Sequence, residues 1–502
     1  MGNLSALCLD GAASPERVAL EVPGGVRLSY AGLSDAAGRM ANALQAAGVR
    51  RGDRVAAQVE KSAANLVLYL ACLRAGAVYL PLNTAYTLSE LAYFIGDAEP
   101  AMVVCDPAAR AGVEELVTSQ GARVETLDEA GEGSLAELAS GQPSAFETAA
   151  VRDDDIAAIV YTSGTTGRSK GAMLTHGNLA SNARTLVQAW RFTPDDVLIH
   201  ALPIYHVHGL FVGANVLLMA GGRMLFLPKF DADRVMAALP RATALMGVPT
   251  FYTRLLRRPD LTRETTAGMR LFVSGSAPLL AETHREWRAA TGHAILERYG
   301  MTETGMNTSN PYDGERIAGT VGPPLPGVEV RVTEPETGAP LPRGEIGMIE
   351  VRGPNVFKGY WRMPEKTLTE FRPDGFFITG DLGTVGENGY ICIVGRGKDL
   401  IITGGLNVYP IEVEEKIDAL PGVVESAVVG LPHPDFGEAV TAVVATGGGA
   451  APQEAEVLSA LEAELAAFKR PKRVIFVDEL PRNTMGKVQK AALRAQYASL
   501  YV

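Results

Sequence analysis

Apolar positions along the first half of the chain follow two alternating patterns. Between residues 31 and 47, apolar side chains recur at helical spacing, and the segment GVRRGD then ends the helix. Helical segments of this kind alternate with short apolar runs that end in Gly, Ser or Pro loops. These runs cover residues 156–161, 224–227, 244–248 and 271–273. The alternation predicts parallel sheets covered by helices, with ligands bound at the carboxyl ends of the strands.

The pattern changes twice in the second half of the chain. After about residue 320, apolar and polar residues alternate between turn signals, which predicts the hairpins of a β-rich subdomain over about 321–395. Further on, several short strand patterns and one helical pattern, at about 453–467, predict a separate α/β domain. The sequence therefore predicts a large N-terminal domain, residues 1–395, and a small C-terminal domain, residues 400–502.

Composition narrows the class of protein. With 502 residues, of which 47% are hydrophobic and 21% charged, the chain is typical of a globular protein with at least two domains. A net charge of -11 excludes the basic excess of a nucleic-acid-binding protein. The N-terminus lacks a signal-peptide pattern, the apolar stretch 209–222 is short enough to be a buried helix, and the four cysteines are dispersed. We expect a cytoplasmic protein that binds neither nucleic acid nor a membrane.

A loop rich in hydroxyl groups and glycine, YTSGTTGRSKG (161–171), follows an apolar run. Backbone N–H groups in such a turn, with hydroxyl donors beside them, can bind an anion such as phosphate. The loop lacks the Gly-Lys-Ser/Thr sequence of a P-loop NTPase, and no His-Arg-Asp loop precedes the Asp-Phe-Gly tripeptide at 435–437, as a protein kinase requires. Taken alone, the loop is compatible with phosphate binding or with an ordinary solvated turn.

Four further motifs follow this loop in the order YGMTETG (299–305), TGD (379–381), GRGKDLIITGG (395–405) and PRNTMGKVQK (481–490). Together the five motifs resemble those of the ANL superfamily of adenylate-forming enzymes, the acyl-CoA synthetases among them. The resemblance extends from about residue 15 to about residue 495. It implies an α/β fold with a large N-terminal domain of two doubly covered sheets plus the β-rich subdomain. A hinge at residues 396–399 and a small, mobile α/β C-terminal domain are implied as well.

The resemblance also implies a two-step ligase reaction. A carboxylate attacks the α-phosphorus of ATP to give an acyl-adenylate and pyrophosphate, and the thiol of CoA then displaces AMP. Because the first step brings two anions together, the site must supply cations and N–H donors. Glu303 is implied as the Mg²⁺ ligand and Thr302 as a catalytic contact to phosphate. The implied nucleotide-binding residues are Thr162, Ser163, Gly164, Thr165, Thr166, Gly167, Lys170, Ser276, Ala277, Glu297, Arg298, Tyr299, Gly300, Asp381 and Arg396.

Lys487 is implied as the catalytic cation of the first step. An ammonium can follow the charge that develops between carboxylate and phosphate. Its neighbour Lys490 is expected to be a solvated surface charge. Acetylation of Lys487 by a protein acetyltransferase would remove the catalytic charge and so inactivate the enzyme. The residues implied at the hinge and along the pantetheine arm of CoA are Lys398, Asp399, Gly404 and Gly405.

Two segments resemble those that line the acyl pocket in this superfamily, PIYHVHGL (203–210) and GVPTFYTRLL (247–256). On a helix, Arg254 could face the pocket, where a buried guanidinium would need a second substrate carboxylate as its partner. The position of Arg254 alone is equally compatible with a side chain that points into solvent. HVHGL, GVPT, SGSAPL and ERYGMTET together resemble the malonyl-CoA synthetases, which implies malonate, and sometimes methylmalonate, as the acid. The implied acid-binding residues are His206, Arg254, Ser276 and Met301.

Three alternatives remain open at this point. An acyl-CoA synthetase for a short monocarboxylic, oxalic or aryl acid would share the motifs and differ in its pocket. A non-catalytic nucleotide-binding protein would have no need of Lys487. His206 and His208 have a spacing that two metal ligands could use, but no third ligand cluster accompanies them among the seven histidines.

Overall fold

The computed structural model of the chain describes residues 2–10, 14–162, 169–447, 452–462, 464–483 and 486–501. The chain forms two compact units, residues 1–329 with 351–377, and residues 330–350 with 378–502. In the described ranges, no helix has both the length and the hydropathy that crossing a membrane requires.

The strands of the first unit build two sheets. They are β1 (Val18–Glu21), β2 (Arg27–Ser29), β3 (Arg54–Gln58), β4 (Val78–Pro81), β5 (Met102–Cys105), β6 (Arg123–Thr126), β7 (Ile156–Thr162), β8 (Lys170–Thr175), β9 (Val197–His200), β10 (Arg223–Phe226), β11 (Ala244–Gly247), β12 (Leu271–Ser274), β13 (Leu296–Met301) and β14 (Gly305–Ser309). One sheet has the order β14-β13-β12-β11-β9-β10-β1-β2 and the other β6-β5-β3-β4-β7-β8. The inner pairs are parallel, whereas the outer pairs β13-β14, β1-β2 and β7-β8 are antiparallel.

Helices connect and cover these strands. They are α1 (Leu4–Leu9), α2 (Tyr30–Ala46), α3 (Ala63–Ala75), α4 (Leu88–Ala98), α5 (Arg110–Val117), α6 (Ser134–Ser140), α7 (His176–Ala189), α8 (Asn215–Met219), α9 (Ala232–Ala238), α10 (Pro249–Leu256), α11 (Ala281–Thr291) and α12 (Pro364–Thr369). The periodic segment 31–47 forms α2, which begins where the Ser29 hydroxyl accepts a hydrogen bond from the Gly32 N–H. The apolar stretch at 209–222 is a buried helix, as predicted, but its first part, His208–Ala214, is a π-helix.

The second unit is smaller and contains strands of two further sheets. The strands are β15 (Glu329–Thr333), β16 (Gly347–Arg352), β17 (Phe377–Val385), β18 (Ile391–Arg396), β19 (Ile401–Thr403), β20 (Leu406–Val408), β21 (Glu425–His433), β22 (Gly437–Ala445) and β23 (Arg473–Val477), and the helices are α13 (Pro410–Asp418), α14 (Glu454–Glu462) and α15 (Lys490–Gln496). Strands β15 to β18 pair in chain order, and β22 pairs with β21, β19 and β23. Apolar clusters cover both faces of the β21–β22 pair.

This architecture confirms the predicted α/β fold with a large N-terminal part and a smaller C-terminal part. Three neighbouring parallel strands of the larger sheet end at the same edge, and two of them, β11 and β12, end in segments that the sequence analysis named. Strand β9 ends at His200, β11 at Gly247 and β12 at Ser274. The predicted domain boundary at residues 395–400 stays a prediction.

Candidate active site

The carboxylate of Glu303 lies buried between two hydroxyl groups in the first unit. Tyr360 donates a hydrogen bond to Glu303 Oε1 at 3.0 Å, and Thr162, at the end of β7, donates to the same oxygen at 3.4 Å. Burial and the nearby carboxylates of Glu303 and Glu370 raise the pKa of Tyr360 well above its usual value. Tyr360 therefore keeps its proton and holds the Glu303 carboxylate in a fixed orientation.

Lys170 is buried at the start of β8 and is paired within the first unit. Its Nζ lies 3.4 Å from Glu370 Oε1 and 4.2 Å from the centre of the Tyr360 ring. Tyr360 and Glu370 thus link the implied phosphate and magnesium residues, and the sequence analysis missed both, because about 200 residues separate them from Lys170. Thr302 lines a small cavity together with Asn178, Asn182 and Asn355. The loop residues Ser163, Gly164, Thr165, Thr166 and Gly167 lie outside the described residues.

Two buried ionisable residues, Glu297 and Arg298, are neighbours on β13. Burial lowers the pKa of Arg298 to about 9 and raises the pKa of Glu297 to about 8. Burial thus disfavours the charged form of both groups, and the charge of each one partly opposes the pKa shift of the other. Among the described residues, Arg298 Nε and Nη2 have no hydrogen-bond partner. Unpaired N–H groups on a buried cation are costly to the fold, so an anion that accepts from Nε and Nη2 would be stabilised here.

The turn that follows β12 lies against this guanidinium. A Cβ atom at Gly275 would lie 2.4 Å from Arg298 Cζ, so only glycine leaves room for the cation there. Ser276, the next residue, has a φ of 71°, a left-handed conformation that non-glycine residues rarely adopt. Its Oγ lies 3.1 Å from His208 Nδ1. Ala277, in the same turn, is half-buried.

His208 is the histidine that contacts the Ser276 turn. Burial and the nearby Arg298 cation hold the pKa of His208 well below its usual value, so the ring is neutral. His206, which the sequence analysis assigned to the acid pocket, is half-buried, and its Nδ1 accepts a hydrogen bond from the His208 N–H at 3.3 Å. Both histidines lie in the HVHGL motif, and the sequence alone does not determine which of the two rings is buried. Tyr299 is buried, while Gly300 and Met301 are half-buried along β13.

Arg254 departs from the expectation that it is a buried cation. It lies on α10, whose buried side chains are Phe251, Tyr252 and Leu255, and its own side chain is exposed. The helix is short, and Arg254 lies at the edge of its buried face, where a long side chain reaches water. Its role as an acid ligand stays a prediction.

In the second unit, Asp381 and Arg396 stand opposite each other on β17 and β18. Arg396 Nε donates to Asp381 Oδ1 at 2.7 Å, and Asp381 is buried. Lys487 is half-buried. Burial and the nearby Arg396 and Lys398 cations lower its pKa to about 8, against the opposing effect of the Asp381 and Asp399 carboxylates. The two nucleotide-binding residues and the catalytic lysine named from the sequence therefore influence one another electrostatically within this unit.

Other predicted residues of the second unit have visible structural roles. Gly404 and Gly405 have φ values of 57° and 80° and form the two-residue turn of the β19–β20 hairpin, which requires such angles. Lys398 and Asp399 lie in a short 3₁₀ turn, Gly397–Asp399, and Asp399 pairs with Arg494.

The expectation that Lys490 is solvated is wrong. Its side chain is largely buried, and its Nζ lies 2.6 Å from Glu414 Oε1, because α15 and α13 both pack against β21.

Comparisons with known proteins agree with this geometry. Two family models match, AMP-binding enzyme over residues 10–361 and AMP-binding enzyme C-terminal domain over residues 412–487. ATP-bound MatB from Rhodopseudomonas palustris is 67% identical, with a TM-score of 0.98 and full coverage of both chains.

Two curated relatives match over most of their length. Malonate–CoA ligase from Arabidopsis thaliana is 36% identical over 480 residues, which covers 89% of this chain and 78% of the relative. A feruloyl-CoA synthase from an Amycolatopsis species is 37% identical over 479 residues, which covers 94% of this chain and 95% of the relative. The predicted membership of the ANL superfamily is confirmed: the chain belongs to the family of AMP-binding enzymes.

Proposed function

We propose that the chain is an ATP-dependent malonate–CoA ligase. It forms malonyl-adenylate with release of pyrophosphate, and then malonyl-CoA with release of AMP. Support comes from its family and from a malonate–CoA ligase among its relatives. The structural observation that carries the proposal is the buried Arg298 guanidinium, whose Nε and Nη2 lack a partner among the described residues.

A dicarboxylate suits this pocket better than an acid with a single carboxylate. The second carboxylate of malonate can accept from Nε and Nη2 together, which is the geometry that makes guanidinium–carboxylate pairs strong. The Ser276 hydroxyl contacts the neutral His208, and the turn that carries Ser276 lies against Arg298, so both side chains could add hydrogen-bonding groups without adding charge. Ferulate has one carboxylate, which the reaction consumes, so its aromatic end would leave the buried cation unpaired.

ATP and its metal are assigned to the Glu303 side of the first unit. Among the described residues, no group of three or more His, Cys, Asp or Glu side chains could hold a metal. A single carboxylate is nevertheless compatible with Mg²⁺, which commonly takes one or two carboxylates, water and substrate phosphate oxygens. Glu303 fits this part, since Tyr360 fixes its carboxylate. When bound, Mg²⁺ would neutralise phosphate charge, while Lys170 and Thr302 serve as phosphate contacts.

The second unit supplies Lys487 to adenylation. Its ammonium stabilises the charge that passes from the attacking carboxylate to the α-phosphate. Acetylation by a protein acetyltransferase would remove this charge and stop the first step. Lys398 and Asp399 serve as the hinge between the two steps, and Gly404 and Gly405 serve the pantetheine arm of CoA in the second.

Pyrophosphate release with a panel of acids tests the proposal. The panel contains malonate, methylmalonate, succinate, oxalate, acetate and ferulate, each with ATP, Mg²⁺ and CoA. We expect the highest kcat/KM with malonate. A higher value with acetate or ferulate would overturn the choice of a dicarboxylate, and no release with any acid would support a non-catalytic nucleotide-binding protein.

A further inference from the structure

Besides Lys170 and Arg298, the first unit buries a third basic residue, Lys61, which lies outside the residues assigned so far. Its Nζ donates to the backbone carbonyls of His200 at 2.7 Å and Leu227 at 2.6 Å, and lies 2.9 Å from His200 Nδ1. It also lies 4.3 Å from the centre of the Phe226 ring. Lysine is rarely buried without a carboxylate beside it, and each of these four contacts joins the ammonium to a neutral group. Burying an ammonium among neutral groups lowers the stability of the fold, which indicates a functional reason for Lys61.

The hydrogen bonds around His200 fix its proton. On the other side of the ring, His200 Nε2 lies 2.8 Å from the carbonyl oxygen of Gly209. A carbonyl can only accept, so Nε2 carries the hydrogen, and in a neutral ring Nδ1 must then accept. Lys61 consequently faces three acceptors, two carbonyls and Nδ1. Only an ammonium, with three N–H groups, pairs all of them, and the carbonyl dipoles thus oppose the burial that lowers the pKa of Lys61.

This pair of residues supports the π-helix that carries His208. Gly209 lies in the segment His208–Ala214 directly after His208, and Gly213 lies one turn further on. A Cβ atom at Gly213 would lie 2.9 Å from His200 Nε2, and one at Gly209 would lie 2.0 Å from the Pro203 carbonyl oxygen. The wide turn of a π-helix is thus packed directly on the His200 ring, and π-helical turns occur frequently at functional sites.

We propose that Lys61 and His200 are positioning residues for the acid pocket. Lys61 holds His200 in the tautomer with the hydrogen on Nε2, His200 holds the Gly209 carbonyl, and the π-helix then presents His208 to Ser276. The contacts of the pair given above are all to protein groups, so the pair acts on the acid through the π-helix. It sets the width of the pocket at the second carboxylate, and with it the discrimination between malonate and methylmalonate. This inference rests on the proposed malonate–CoA ligase activity.

Two amide substitutions at residue 200 separate positioning from mere stability. His200→Gln places an amide N–H near the position of Nε2 and keeps the donor to Gly209. His200→Asn places its oxygen near Nδ1, which keeps the acceptor for Lys61 but loses the donor to Gly209. Both remove an aromatic ring and lower stability to a similar extent, so a purely structural role predicts similar kinetics for the two.

We expect His200→Asn to raise the KM for malonate about tenfold and to narrow the preference for malonate over methylmalonate, with kcat and the KM for ATP nearly unchanged. His200→Gln should stay within about threefold of the wild type. Lys61→Met, which keeps the stem and loses the donor that fixes the tautomer, should resemble His200→Asn. His293→Asn is the matched control, because His293 Nε2 also lies near a backbone carbonyl, that of Thr266, away from the π-helix.

The outcomes distinguish this inference from the proposed function. If the wild type releases no pyrophosphate with malonate, the proposed function fails before any variant is compared. If the wild type uses malonate but His200→Asn and His200→Gln have equal malonate KM values, the positioning role is overturned. A rise in malonate KM for His293→Asn as large as that for His200→Asn would also overturn it.

Discussion

At the scale of single residues, Glu297 and Arg298 show what burial does to neighbouring charges. Burial raises the pKa of the Glu297 carboxyl and lowers that of the Arg298 guanidinium, so burial penalises the charge of each group. In the ligand-free fold, Nε and Nη2 of the guanidinium also lack a hydrogen-bond partner among the described residues, which adds to this cost. The same cost favours any ligand that brings a carboxylate to it.

This cost can be measured by removing the charge. We expect Arg298→Met to raise the free energy of unfolding of the ligand-free enzyme by about 1–4 kcal/mol, because methionine fills much of the volume without desolvating a cation. Urea unfolding followed by tryptophan fluorescence suits the measurement, since Trp190, Trp287 and Trp361 all belong to the first unit. A loss of stability of similar size would mean that partners within the fold satisfy Arg298.

Lys487 leads to a prediction about pH. A lysine whose pKa is lowered to about 8 loses its proton as the pH rises through that value, so the ammonium needed for adenylation is present below pH 8 and disappears above it. We expect kcat/KM for malonate-dependent pyrophosphate release to fall as the pH rises above about 8. The assay should extend from about pH 6.5 to about pH 9.5.

Lys487→Arg and Lys487→Ala complete that test. Arginine keeps its charge throughout this range, so Lys487→Arg should lose the fall above pH 8, at a lower absolute rate. Lys487→Ala should abolish adenylation yet still form the thioester from supplied malonyl-adenylate. Lys416→Ala is the control, because Lys416 is an exposed lysine of the same unit that pairs with Glu464. The assignment is contradicted if the fall above pH 8 persists in Lys487→Arg.

At the scale of elements, the turn after β12 contains a strained residue, Ser276, whose hydroxyl contacts His208. Ser276 has a φ of 71°, which costs a residue with a Cβ about 1 kcal/mol relative to glycine. Both Ser276→Gly and Ser276→Ala lose the contact to His208 Nδ1, so we expect both to raise the malonate KM. Only Ser276→Gly removes the strain, so it should unfold at a higher urea concentration than Ser276→Ala. Equal unfolding midpoints for the two variants would show that the turn is unstrained.

How far the sequence predicts an element depends on where the determining contacts come from. The amphipathic spacing of α2 and its Ser29 cap are local, and the predicted helix matches the structure closely. The π-helix at His208–Ala214 is also an apolar helix in the sequence, but its wide turn depends on His200 and Pro203, which belong to preceding segments. No acidic residue lies near Lys490 in the sequence. Its partner Glu414 is 76 residues away, so the burial of Lys490 could not be predicted.

The contrast between local determinants and contacts from distant segments also explains which candidate site residues could be predicted from the sequence. Motifs named Glu303, Asp381, Arg396 and Lys487 as candidates, because each belongs to a short segment with its own spacing. Motifs assigned Arg254 to the acid and Arg298 to the nucleotide, but they could not show that Arg254 is exposed and Arg298 buried, since exposure is decided by how α10 and β13 pack. Tyr360 and Glu370 carry no motif and become visible only through their distances to Glu303 and Lys170.

At the scale of the whole molecule, the candidate residues for binding the acid and the phosphates and the candidate residues for adenylation belong to two different compact units. The first unit contains Arg298 and the Glu303 and Lys170 groups, and the second contains Lys487 with Asp381 and Arg396. The family models divide the chain in a similar way, at residues 10–361 and 412–487. The central claim is that the first unit selects the acid by pairing a buried guanidinium with a second carboxylate.

The most direct measurement compares malonate with its monomethyl ester, which keeps one reactive carboxylate and neutralises the other. We predict that the wild type favours malonate in kcat/KM for pyrophosphate release by a factor on the order of 10²–10³, and that Arg298→Met brings this ratio close to one. Arg254→Met, measured alongside, reports whether the exposed arginine contributes. An unchanged ratio in Arg298→Met would contradict the claim that Arg298 binds the second carboxylate.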